Sequence, residues 1–118
     1  MIFTEGEQGK SSDMVAWDEI QRVVDQIAQD FLPERIVLFG SYSTGKAGMD
    51  SDVDLLVVLP FEGSPFRKSL EICRRVNARF ALDLLARRPD DTRRRYQEGD
   101  PLIREALDHG RVLHERRD

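Results

Sequence analysis

Two short apolar runs, residues 36–39 (Ile-Val-Leu-Phe) and 53–59 (Val-Asp-Leu-Leu-Val-Val-Leu), flank thirteen residues rich in Gly, Ser and Asp. Runs this short, largely β-branched or aliphatic and stopped by Gly40 and Pro60, read as strands covered on both faces rather than as helices. A covered sheet needs helices, and the flanking segments supply them. From Ser12 or Asp13 as N-cap, Trp17, Ile20, Val23, Val24, Ile27 and Phe31 recur on one helical face until Pro33 ends the run. Ser64-Pro65 is a cap with proline at the first helical position, predicting a helix to about residue 79 with Leu70, Cys73, Val76 and Phe80 inward. Residues 80–86 read as a third strand with Asp83 in its middle. Asp90 or Thr92 would cap a short basic turn. Pro101 opens a last helix bearing Leu102, Ile103, Ala106 and Leu107, closed by His109-Gly110, and Val112 and Leu113 add a short strand or pack as a tail.

The expected fold is α/β: a small mixed sheet of three to four strands with helices mainly on one face. Residues 1–12 lack apolar periodicity and are expected to form a flexible arm, with residues 13–118 as one domain. A chain of 118 residues, 40 % of them hydrophobic, can bury one core and is expected to leave no room for a second substrate domain. One cysteine and no apolar run of membrane or signal length predict a soluble, cytoplasmic protein. That cysteine, Cys73, lies on an apolar stripe and reads as packing rather than a nucleophile.

Charge is divided unevenly. Residues 1–62 carry 4 basic and 12 acidic groups, residues 63–118 carry 14 and 10, and the net is −4. An acidic half beside an arginine-rich half suits a triphosphate bound through cations, whereas an overall negative chain argues against broad nucleic-acid binding.

The chemistry is concentrated between the first two strands. Asp52 and Asp54 stand two apart at the start of a strand, so both carboxylates project from one face, about 7 Å apart. Such a pair can hold hard cations such as Mg²⁺, which prefers oxygen ligands and keeps phosphate oxygens in its shell. Asp83, an acid among apolar strand residues, needs a partner. If its strand lies beside residues 53–59, it completes a two-metal site; otherwise it faces solvent or pairs with an arginine such as Arg87. Gly40 and Ser41 follow the first strand directly, where a missing side chain admits a phosphate and a hydroxyl can donate to it.

Gly-Ser, ten residues, Asp-x-Asp, then a strand-borne Asp resembles the signature of the DNA polymerase β-like nucleotidyltransferases. Residues 36–42 together with 99–107 and 110–113 resemble in particular the minimal nucleotidyltransferases of prokaryotes, with likeness from about residue 17 to 115. The resemblance implies Asp52 and Asp54 as ligands of both metals and Asp83 as ligand of the catalytic metal and an aid to deprotonating the acceptor hydroxyl. Gly40 and Ser41 become phosphate contacts. It implies two Mg²⁺ ions, a nucleoside triphosphate such as ATP, and transfer of a nucleotide to a hydroxyl. The implied partner is a helical HEPN-domain protein for which the chain is the antitoxin, or a second copy of this chain. The alternative is a non-catalytic module of the same fold that neutralises its partner by contact.

Other motifs compete poorly. Residues 40–46 match the opening of a P-loop, but Ala47 stands where Mg²⁺ needs a hydroxyl and Gly48 and Asp50 follow where a helix is required. Asp50, Asp52 and Asp54 mimic a calcium loop that Leu55 and Phe61 then break. His109 and His114 need no role beyond a helix end and the tail. Arg87, Arg88, Arg93, Arg94 and Arg95 form a basic cluster suited to a triphosphate, an acidic partner or solvent. Tyr42 and Tyr96 read as local packing.

Overall fold

The computed structural model describes residues 15–48 and 51–117. Helix α1 (Trp17–Phe31) leads into strand β1 (Arg35–Phe39), a single helical turn α2 (Ser41–Thr44) and strand β2 (Val53–Val58). Helix α3 (Pro65–Val76), strand β3 (Leu82–Arg87), helices α4 (Pro89–Gln97) and α5 (Pro101–His109) and strand β4 (Arg111–Glu115) follow. The sheet order is β3-β2-β1-β4. β1 is antiparallel to β2 and to β4, whereas β2 and β3 are parallel and joined across α3. The sheet is therefore four-stranded and mixed, as expected, and the tail at Val112 and Leu113 is a strand.

Both faces are covered. Ile20, Val23, Val24 and Ile27 of α1 and Ile72 and Val76 of α3 pack with Ile36, Leu38, Val53, Leu55, Val57, Leu84 and Ala86. On the other face Ile103 and Ala106 of α5 pack on Val37, Phe39, Leu56 and Val58. The apolar runs are long because β1 and β2 are central strands, buried front and back.

Local signals explain most element ends. Ser64 Oγ accepts from the Phe66 and Arg67 amides at 3.1 and 3.3 Å, and Asp100 caps α5 through the Leu102 and Ile103 amides at 3.0 and 3.2 Å. α1 closes on Leu32 in the left-handed region, followed by Pro33.

Four expectations are corrected. α1 starts at Trp17 with Ala16 in the cap position; Ser12 and Asp13 lie outside the described residues. α3 ends at Val76 on a left-handed Asn77 and buries Ile72 rather than Leu70, which is exposed. α4 is capped by Arg88 with Pro89 at its first position, so neither Asp90 nor Thr92 begins it; the Thr92 hydroxyl instead donates to the Arg88 carbonyl at 2.7 Å. β3 begins at Leu82, level with Val53 where its partner strand begins, so Asp83 is its second residue and exposed. An acid there avoids the burial cost that a mid-strand acid would carry.

Candidate functional site

The geometry of the acidic cluster follows from the parallel pairing. The Val53 amide donates to the Ala81 carbonyl at 3.0 Å, which sets Asp54 directly beside Asp83. Both are second residues of their strands. Asp54 ionises only near pH 6 instead of the ordinary 3.8: burial is the main cause, then the negative charge of Asp83, that of Asp52, a carboxyl hydrogen bond with Asp83, and the charge of Glu105. Two adjacent carboxylates can hold one proton or one cation between them.

The loop after β1 closes on this pair. Phe39 is the antiparallel partner of Asp54, so Gly40 stands at its side. A β-carbon on Gly40 would lie 2.3 Å from Asp54 Oδ2, and the backbone there has φ 76°. Only glycine fits both the conformation and the approach. In the turn that follows, Ser43 Oγ and Thr44 Oγ1 donate to the Gly40 carbonyl at 3.1 and 3.4 Å. The Ser41 side chain is half-buried beside them.

The predicted residues are thus brought together unequally. Asp54, Asp83 and Gly40 meet; Asp52 is exposed just before β2 and acts on Asp54 through its charge. Among the described residues no three histidine, cysteine, aspartate or glutamate side chains converge into a metal cage. The chemistry of the site nonetheless fits a hard divalent cation, because its donors are carboxylate oxygens and burial, then the neighbouring negative charges, already penalise the bare Asp54 carboxylate. Glu105 escaped sequence reasoning. It belongs to α5, distant in sequence, and no motif marks it.

The basic cluster disperses. Arg88 donates to the Phe61 and Gly63 carbonyls and stacks on Phe61, while Arg94 and Arg95 bind Asp91, with further contacts to Glu98 and Asp100 respectively. Arg87 and Arg95 line, with Asp83, Phe66, Leu70 and Cys73, a groove of about 460 Å³ between α3 and β3. Burial and the Asp83 charge raise the Cys73 thiol above its ordinary pKa, which suits packing and not nucleophilic attack.

The tyrosines are structural. Tyr42 Oη accepts from the Val15 amide at 3.0 Å, and Tyr96 Oη donates to Asp108 at 2.6 Å beneath the Arg104 guanidinium. His109 ends α5, and His114 pairs with Ile36 in the sheet. A second cleft of about 380 Å³, lined by Arg35, Val58, Tyr96 and Leu107, opens at the far end of β1 and β2 from Asp54 and shares none of the site residues. Among the described residues no helix is long and apolar enough to cross a membrane.

Solved structures share this fold. A Sulfolobus solfataricus protein provisionally assigned as a nucleotidyltransferase superposes with a TM-score of 0.59 at 19 % identity, over 84 % of this chain and 79 % of that one. A toxin–antitoxin structure with AMP-PNP gives 0.52 at 17 %, and an MntA-HpeT toxin–antitoxin mutant gives 0.53 at 19 %; each covers 82 % of this chain and 74 % of the other. No curated protein matches the chain. The family model for the nucleotidyltransferase domain matches residues 20–113, from within α1 into β4. That span takes in Gly40, the Asp54–Asp83 pair and the packing on both sheet faces, and it makes this chain a member of the nucleotidyltransferase domain family.

Proposed function

We propose that this chain is the antitoxin of a toxin–antitoxin pair and moves AMP from ATP to a hydroxyl on its partner, a HEPN-domain protein, in a Mg²⁺-dependent reaction in the cytoplasm. The observation that carries this reading is Asp54 set beside Asp83 with the bare backbone of Gly40 against it. Asp52, Asp54 and Asp83 are the residues that would hold two Mg²⁺ ions. Bound there, the ions supply charge neutralisation for the triphosphate and the leaving pyrophosphate. Gly40 admits a phosphate at close approach, and the Ser41 hydroxyl donates to it. Asp83, exposed at the open flank, accepts the proton of the acceptor hydroxyl as its oxygen bonds to the α-phosphorus. The bond from that phosphorus to the bridging oxygen breaks, and pyrophosphate departs.

Support comes from two structural neighbours. One is a toxin–antitoxin with AMP-PNP, and another carries two Asp→Glu substitutions two positions apart, the spacing of Asp52 and Asp54. The second reading is a binder of the same fold that neutralises its partner by contact alone. The deciding experiment incubates the chain with Mg²⁺, labelled ATP, GTP, CTP or UTP, and the co-encoded protein. Label should pass to the partner from ATP and fall by about 100-fold or more in Asp52→Asn and Asp54→Asn. Unchanged transfer by either variant would rule the site out. Neutralisation of the partner without label transfer would select the binder.

A further inference from the structure

β3 is an edge strand whose outward main-chain groups are hydrogen-bonded at one end only. The Val53 and Leu59 amides donate to the Ala81 and Arg87 carbonyls at 3.0 Å each, so odd-numbered residues of β3 turn their main-chain groups toward β2. Leu82, Leu84 and Ala86 therefore turn theirs outward. Ala86 is closed off: its amide donates to Ser69 Oγ and its carbonyl accepts from Arg87 Nη1, both at 2.9 Å. The main-chain groups of Leu82, half-buried, and Leu84, buried, have no such hydrogen bond among the described residues. A stretch of edge without strand partners thus lies beside Asp83, and the side chains of α3 that overhang it at Leu84 must part for a further strand to pair there.

The groove between α3 and β3 straddles this edge. On the α3 side stand Phe66, 71 % exposed, Leu70, 37 % exposed, and Cys73. On the other side are Asp83, Leu85 and Arg87, whose Nε is buried without an acceptor. An orphaned guanidinium N–H asks for a carboxylate, and unpaired strand groups ask for another main chain.

We propose that this groove receives an extended segment of the acceptor protein, which adds to β3 as a further strand and carries its hydroxyl residue to Asp83. The inference rests on the nucleotidyl-transfer reading above. A strand laid on the edge alternates its side chains between the two sides of the groove. Asp83 and Arg87 are four positions apart, about 13 Å along the strand. The segment therefore bears a hydroxyl side chain opposite Asp83 and an acidic one opposite Arg87, four residues apart. Apolar residues at the first and third positions between them meet Phe66 and Leu70.

The probes are labelled synthetic peptides containing Tyr-Leu-Ser-Val-Glu or the reverse order, titrated onto the full chain without nucleotide and followed by anisotropy and amide exchange. At least one order should bind and slow exchange at the Leu82 and Leu84 amides while leaving Ala86 unchanged. Phe66→Glu and Arg87→Met should each weaken binding about tenfold, and Phe66→Glu should keep the wild-type thermal shift with Mg²⁺ and ATP. Failure of both peptides to bind, binding without protection of Leu82 and Leu84, or protection of those amides by a single-stranded oligonucleotide in place of peptide would overturn the proposal. A missing Mg²⁺-ATP shift with intact peptide docking would instead sink the transfer reading and leave the groove standing.

Discussion

Gly40 lies against Asp54 so closely that a β-carbon at position 40 would stand 2.3 Å from Asp54 Oδ2. With φ 76° and ψ −155°, its backbone also occupies a region adopted almost only by glycine. Gly40→Ala is expected to cost about 1–3 kcal/mol and to push the Asp54 carboxylate out of line with Asp83. A thermal melt should fall by several degrees, and calorimetric titration should show weaker binding of Mg²⁺-ATP. An alanine variant that melts and binds like wild type would show that the loop carries no such constraint.

The raised pKa of Asp54 sets a pH dependence with a defined sign. A carboxyl that ionises near 6 when folded and near 3.8 otherwise holds its proton more tightly in the fold, so ionisation is penalised there. The penalty is absent below about pH 4, grows between about 4 and 6, and is complete above. Because the carboxyl is partly solvated, the effect is a few degrees at most. With metal chelated, Asp54→Asn should melt above wild type at neutral pH and converge with it in acid. Melting curves that run parallel across this range would contradict the assignment.

Ligand should reverse that penalty. Mg²⁺ with triphosphate, bound to the folded state only and present at about 100 times its dissociation constant, adds roughly 2.7 kcal/mol and raises the melting midpoint by several degrees. Asp83→Asn should leave the metal-free protein as stable or slightly more so, and shrink the increment. Melts of both proteins with each triphosphate check this. Equal shifts in both, or none beyond metal alone, would remove Asp83 from the metal site.

Gly110 tests the scaffold apart from the chemistry. A β-carbon there would meet the Ala106 carbonyl oxygen at 2.2 Å, Val37 Cγ1 at 2.6 Å and the Leu38 carbonyl oxygen at 2.9 Å. Two of these are main chain and cannot step aside. Gly110→Ala should cost about 1–3 kcal/mol in denaturant titration, while transfer per folded molecule stays near wild type. A variant of undiminished stability would mean that the α5–β4 junction yields.

Where local chemistry decides an element, the sequence announces it: Pro33, Pro60, Ser64-Pro65 and Pro101 mark true ends, and Asp-x-Asp after Gly-Ser marks the site loop. Where the decision is tertiary, it does not. Phe80 and Ala81 have strand character, yet β3 starts at Leu82 because its partner strand starts at Val53. Leu70 and Ile72 fit a helical stripe equally well, and only the placement of α3 on the sheet chooses Ile72. Glu105 acts on Asp54 from an element fifty residues downstream, beyond the reach of any spacing argument.

The carboxylate pair depends on β2 and β3, the one parallel pairing in the sheet. Sliding β3 by two residues would keep every side chain on its own face, so burial hardly opposes the slip. It would nevertheless seat Ala81 or Leu85 beside Asp54. No tight turn sets the offset between parallel strands. Here the Ser69 hydroxyl on the Ala86 amide and the grip of Arg88 on the Phe61 and Gly63 carbonyls hold the strand against α3 and the β2–α3 loop. A lesion at Ser69 or Arg88, remote from both acids, could leave the molecule folded and misaligned, with its two charges parted by one notch of the ladder.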